Sequence, residues 1–140
     1  MNVLLVNPNR EQMPWPVVPI GLCTIATALA RAGHDVDVLD LTFSRDPKKD
    51  TLARVRQRSP DLVGITIRNI DNCNFESPHF YLAEIRDSIV RPIRESGATM
   101  PIVVGGSAIN VSPGDTLRYL EADYALVGEG EDAMPEFASA

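Results

Sequence analysis

The chain has 140 residues, with 13 Lys and Arg against 19 Asp and Glu, a net charge of −6. A chain of this length fits one domain that buries roughly two-thirds of its unfolded surface. Its acidic balance, with scattered basic residues, argues against a nucleic-acid or anionic-membrane surface. Two cysteines, Cys23 and Cys73, without a Cys-x-x-Cys pattern argue against a disulfide framework or a zinc site and point to a reducing, cytoplasmic setting. The apolar start Met1–Val6 has no basic flank and is too short for a signal peptide or a membrane span.

Short apolar runs alternate with segments of helical period, the pattern of βα units around a parallel sheet. Strands are predicted over Asn2–Val6, Asp35–Leu39, Leu62–Ile67, Ile102–Val104 and Tyr124–Val127. Most are apolar on both faces, as expected when helices cover the sheet from each side in a three-layer α/β sandwich.

The first helix, Ile20–Ala32, is rich in Ala and Leu and closes at Gly33. It is almost apolar all round, which predicts deep packing with Cys23 as a small core residue. The second, Lys48–Arg58, carries Leu52 and Val55 among many charges, so it belongs on the surface, with Arg54, Arg56 and Arg58 as a solvated face. In the third, Phe80–Ser96, Leu82, Ile85, Ile89 and Ile93 form one apolar stripe, and Pro92 is expected to kink or end it. Ser112-Pro113-Gly114-Asp115 reads as a helix start, with Ser112 as N-cap and Asp115 reaching back. A last helix begins after Glu131 and is still running at Ala140, which suggests the N-terminal part of a longer polypeptide.

Parallel strands aim their C-terminal ends at one edge, where open α/β sheets bind ligands. The residues brought there are Asn7-Pro8-Asn9-Arg10, Thr66 to Asn74, Gly105-Gly106-Ser107 and Gly128-Glu129-Gly130-Glu131. The Pro8–Pro19 connection is long and suited to covering a ligand. Gly105-Gly106 would let a flat or extended ligand approach the backbone; a turn needed only for packing is the alternative. Arg68, Asn69 and Asn72 sit in a polar loop whose amides serve either a ligand or local turns. His34 reads as a surface residue. His79, after Pro78 on the ligand edge, reads as structural, with metal ligation as the alternative. Glu129 and Glu131 precede a helix, so they read as first-turn acids rather than a catalytic pair. A phosphate loop, a dinucleotide fingerprint and a nucleophile elbow are all missing.

The runs Leu4-Leu5-Val6-Asn7-Pro8, Pro19-Ile20-Gly21-Leu22, Ala32-Gly33-His34-Asp35-Val36, Asp61-Leu62-Val63-Gly64-Ile65-Thr66, Val103-Val104-Gly105-Gly106 and Ala122–Glu131, in this order, resemble the N-terminal cobalamin-binding domain of cobalamin-dependent radical S-adenosylmethionine enzymes. The resemblance covers nearly the whole chain. It implies a Rossmann-like, flavodoxin-like fold over residues 1–140, with cobalamin on the C-terminal sheet edge and its nucleotide tail in a slot beside Thr66 and Gly105-Gly106. It implies cofactor contacts from Asn7, Pro8, Pro19, Gly21, Thr66, Arg68, Asn69, Asn72, Gly105, Gly106, Ser107, Gly128, Glu129 and Gly130. Asn7–Gln12 lacks the Asp-x-His-x-x-Gly motif of related domains, so this loop supplies no histidine beneath cobalt. The chain has no Cys-x-x-x-Cys-x-x-Cys, so S-adenosylmethionine and a 4Fe–4S cluster would belong to a catalytic barrel elsewhere in a longer chain, with this domain presenting cobalt for methyl transfer. A flavodoxin-like domain for another planar or nucleotide cofactor, and a docking domain without cofactor, stay open as alternatives.

Overall fold

A computed structural model describes residues 1–140. The elements in chain order are β1 (Asn2–Asn7), α1 (Ile20–Arg31), β2 (Asp35–Asp40), α2 (Pro47–Arg58), β3 (Leu62–Thr66), α3 (Tyr81–Ile85), a π-helical turn (Arg86–Val90), α4 (Arg91–Glu95), β4 (Ile102–Gly105), a 3-10 turn (Ser107–Asn110), α5 (Pro113–Leu120), β5 (Tyr124–Ala125) and α6 (Gly130–Ser139). The five strands are all parallel, in the order β2-β1-β3-β4-β5. The chain leaves β1 toward one side of the sheet and β3 toward the other, so a topological switch point lies between their C-terminal ends.

The strand period of two sorts the core into two layers. Leu4, Val6, Val63, Ile65, Ile102 and Val104 pack with Val55, Leu82, Ile85, Ile89, Ile93 and Leu120 under α2 to α5. Val3, Leu5, Leu62 and Val103 pack with Leu22, Leu29, Met134 and Ala138 under α1 and α6. Every predicted strand is present, with altered ends: β1 and β2 run on to Asn7 and Asp40, β3 stops at Thr66, β4 takes in Gly105, and β5 is only Tyr124–Ala125.

Three expectations are corrected or narrowed. First, α1 packs through one face only: Leu22 and Leu29 are buried while Ile20 and Cys23 are exposed, because two helices alone cover this side of the sheet. Cys23 is therefore not a core residue. Second, Arg54 and Arg58 are not a free solvated face, since Arg54 binds Asp37 at 2.8 Å and Arg58 binds Asp35 at 3.0 Å, tying α2 to edge strand β2; Arg56 alone stays exposed.

Third, of the kink or stop expected at Pro92, the helix does not stop there. The turn before it widens, with the Arg91 N–H donating to the Arg86 carbonyl five residues back, and helical dihedrals continue through Val90 and Arg91. A π-type register absorbs the donor that proline lacks. The expected helix start at Ser112 holds: Ser112 is the N-cap residue of α5, and Asp115 reaches back to it, its carboxylate accepting the Ser112 hydroxyl at 2.7 Å while the Ser112 carbonyl receives the Thr116 N–H at 3.0 Å.

Candidate cofactor site at the C-terminal sheet edge

Two cavities of about 280 Å³ each open on the edge where the strands end, one on either side of the sheet, and both are lined by Thr66 at the end of β3. The first, between the sheet and the α1–α6 layer, is a slot to whose lining six glycines contribute: Gly21, Gly64, Gly105, Gly106, Gly128 and Gly130. Leu5, Leu22, Ile25, Leu126 and Met134 supply its apolar walls, and Ser107, Asn110 and Glu129 its polar mouth.

These glycines have different physical causes. A Cβ on Gly106 would stand 2.6 Å from the Ile67 carbonyl oxygen, and its φ of +102° is a backbone state open to little else. The close approach is real pairing: Ile67 N–H donates to the Gly105 carbonyl at 2.7 Å and Ala108 N–H to the Ile67 carbonyl at 3.1 Å. A Cβ on Gly64 would meet the Leu5 side-chain tip at 2.7 Å, and one on Gly130 the Ile25 tip at 2.8 Å, contacts that those flexible side chains can relieve, so Gly106 is the glycine that the backbone itself requires. A Cβ on Gly21 would meet nothing within 4 Å, and one on Gly105 nothing closer than the Leu126 carbonyl at 3.8 Å, with neither residue at positive φ. The side chains missing at Gly21 and Gly105 leave open space in the slot, a cradle that fits a ligand inserted beside the sheet.

Polar atoms at the slot mouth are partly spent on structure. Ser107 donates its hydroxyl to the Arg68 carbonyl at 2.8 Å, and Gly128 N–H donates to Asn110 Oδ1 at 3.3 Å. Glu129 is the N-cap residue of α6 but makes no side-chain cap; Glu131 and Asp132 in the first turn meet the positive end of the helix instead.

The second cavity lies at the switch point, between the loop after β1 and the loop after β3. Arg10 and Glu84 pair at 2.6 Å, and His79 Nε2 lies 3.2 Å from the other Glu84 oxygen. Tyr81 donates its hydroxyl to Glu11 at 3.0 Å. The Met13 backbone N–H, and after it the Tyr81 hydroxyl, hold the Glu11 carboxyl below its usual range, while burial and then Glu11 push the Tyr81 phenol up. No group of three His, Cys, Asp or Glu side chains is disposed to hold a metal ion.

The site residues expected from sequence divide accordingly. Gly21, Thr66, Gly105, Gly106, Ser107, Gly128, Glu129 and Gly130 line the slot, whereas Pro8, Arg68 and Asn69 join Thr66 at the polar cavity. Asn7, Pro19 and Asn72 line neither. Asn7 is buried and donates to Asp40 at 2.8 Å and Thr42 at 3.3 Å, and Pro19 serves as the N-cap residue of α1. Asn72 closes its own loop by accepting from Asn74 and His79 N–H groups and donating to the Ser77 carbonyl. Sequence reasoning missed Gly64, whose signal was a glycine inside an apolar strand, a mark of close approach. It also missed the pairing of Arg10 with Glu84, for which distant positions in the chain leave no local signal.

An open parallel sheet with a glycine-lined slot at its carboxyl edge defines a cofactor-binding α/β domain. Residues 13–138 match the B12 binding domain family, and the chain belongs to that family. It is 32% identical over 139 residues to the tryptophan 2-C-methyltransferase of Streptomyces laurentii, covering 99% of this chain and 22% of that protein. The radical S-adenosylmethionine methyltransferase TsrM from Kitasatospora setae, solved with its tryptophan substrate and an analogue of S-adenosylmethionine bound, superposes with a TM-score of 0.90 at 38% identity, covering 99% of this chain and 25% of that one. A second TsrM structure, with cobalamin and a 4Fe-4S cluster bound, gives 0.89 at 37% identity, over 99% and 24% of the two chains. The methanol:cobalamin methyltransferase complex MtaBC from Methanosarcina barkeri shares the fold, with a TM-score of 0.64 at 21% identity over 99% of this chain and 45% of that one. The chain thus spans about a quarter of the length of its TsrM-type relatives.

Proposed function

We propose that this chain is the cobalamin-carrying domain of a radical S-adenosylmethionine methyltransferase, with the nucleotide tail of the cofactor in the glycine slot and the macrocycle across the C-terminal sheet edge. The observation that carries this reading is the open space at Gly21 and Gly105, which neither packing nor backbone strain requires. Leu22, Ile25, Leu126 and Met134 would enclose the tail, and Thr66, Ser107 and Asn110 would meet its polar atoms. When bound, cobalamin supplies a cobalt centre that receives and passes on a methyl group. Carbon methylation is the activity that the name of the S. laurentii relative carries.

The presenting role is supported by where the apolar surface lies. Apart from Met1, Tyr124 and Phe80, which packs on Tyr119, every exposed large apolar side chain (Met13, Trp15, Val17, Val18, Ile20, Phe43, Phe75, Val111 and Val127) lies in a segment that follows the C-terminal end of a strand. A concentrated apolar rim marks a surface that another body covers. Here that body is the catalytic domain of the longer polypeptide, which would hold the S-adenosylmethionine and the 4Fe–4S cluster.

Hydroxocobalamin incubated with the chain and then desalted should leave corrin absorbance at about one equivalent, and Gly105→Leu should lose it. Gly105→Leu fills the slot from a position whose Cβ makes only ordinary contact, 3.8 Å to the Leu126 carbonyl, so its affinity should fall by about ten- to a hundredfold with an unchanged circular dichroism spectrum. A colourless wild-type protein, or full retention by Gly105→Leu, would overturn the reading.

A further inference from the structure

The seam between α1 and α6 holds a groove of about 910 Å³ on the solvent side of that layer, which the cofactor has no use for. We propose that it is a docking groove for a basic amphipathic helix from the remainder of the polypeptide; the inference rests on the reading of the chain as one domain of a longer protein. From α1 the groove takes Ile20, Cys23, Thr24, Thr27, Ala28 and Arg31, which recur at the three- and four-residue spacing of a helix-packing stripe. Ile20 is 72% exposed, and Cys23, Thr24 and Thr27 are exposed with it. Thr24 and Thr27 donate their hydroxyls to the Ile20 and Cys23 carbonyls at 3.1 and 2.9 Å, so the stripe calls for no hydrogen-bond partner from outside.

Charge identifies what covers it. The acidic side chains that make no hydrogen bond or ion pair are Glu76, Glu95, Glu129, Glu131, Asp132 and Glu136, so the unspent negative charge gathers at α6. Glu131, Asp132 and Glu136 line the groove against Arg31 alone. The positive end of α6 accounts for Glu131 and Asp132 in its first turn, whereas Glu136 lies in the later half of the helix, where the dipole disfavours an acid. A second copy of the chain does not suit this face, because pairing it with itself would set the acids of both copies together. A helix that lays small apolar side chains on the stripe and a Lys or Arg beside Glu136 satisfies both parts of the groove. The TsrM relative has chain to spare for such a helix, since the matched region is 25% of its length.

Alkylation of Cys23, which lines the groove and is exposed in the 140-residue chain, reads whether the groove is covered. Labelling by iodoacetamide, followed by mass spectrometry of the Cys23 peptide, should run at least about fiftyfold slower in the full-length protein than in the shorter chain, and denaturation should abolish the difference. Glu136→Lys in the full-length protein should speed labelling about tenfold, while Glu95→Lys, at an unspent acid on α4, should leave it unchanged. Glu136→Gln, with a gain of about threefold, serves if the lysine variant loses its circular dichroism spectrum. Equal labelling in the two chains, or protection that a folded Glu136 variant leaves intact, overturns the proposal. A shorter chain that sediments as a dimer with Cys23 protected overturns it in favour of a second copy. Corrin absorbance on the same samples keeps the two readings apart: reactive Cys23 with corrin retained strikes the groove alone, and protected Cys23 without corrin strikes the cobalamin reading alone.

Discussion

The two cavities at the sheet edge are equal in size and opposite in construction. The slot facing α1 and α6 is made by leaving side chains out, and the cavity facing α3 is made by holding polar side chains in ion pairs and hydrogen bonds. A slot of the first kind selects by shape, because its glycines offer almost nothing to bond. A cavity of the second kind selects by hydrogen-bond pattern, since its charges are already matched. One edge can therefore hold a ligand with an insertable arm and a polar rim.

The sharpest way to break this comparison is at the glycine doublet. Gly106→Ala should cost the fold about 3–4 kcal/mol, seen as a lowered urea midpoint, because its Cβ would meet the Ile67 carbonyl at 2.6 Å from a strained backbone state. Gly105→Leu should leave that midpoint nearly unchanged and act on ligand retention alone. Equal destabilisation by the two would show that the slot is only a packing turn.

Asn7→Ala should cost about 1–3 kcal/mol, since the buried Asn7 amide bridges Asp40 and Thr42 across β1 and β2. Cobalamin retention should not change; a loss of retention at full stability would move Asn7 from scaffold to site. The smallest effect is expected from Tyr81→Phe. Removing the phenol lets the Glu11 pKa rise toward its usual value, which an NMR titration would follow. Because Glu11 is depressed in the folded state, the stability it lends is present above the unfolded glutamate pKa and fades as pH falls through the folded one. The variant and wild type should therefore differ most above the usual glutamate pKa of about 4.3 and converge as pH falls below the depressed folded value.

The scaffold was legible in the sequence wherever period and punctuation are local. The alternation of Leu4-Leu5-Val6 and Val103-Val104 with helical stripes such as Leu82, Ile85 and Ile89 placed every strand and ordered the βα units. What escaped depends on distant partners. Whether a glycine is empty or crowded is decided by Ile67 for Gly106 and by Leu5 for Gly64, and no window around either residue contains that information. For α1, the apolar composition suggested burial on all sides, yet only α6 lies beside it and the outward face with Cys23 meets solvent. Asn72 was ambiguous between ligand and loop because the same amide serves both, and the structure gives it three contacts within its own loop.

The apolar rim has a spectroscopic consequence. Trp15 is the single tryptophan of the chain and is 79% exposed, in the connection that follows β1. Its emission should already resemble that of a solvated indole in the native state, so unfolding of the sheet is followed better by circular dichroism. The same placement makes Trp15 a built-in optical reporter: whatever comes to lie over the carboxyl edge must change its quenching by acrylamide, while events on the opposite edge leave it unmoved.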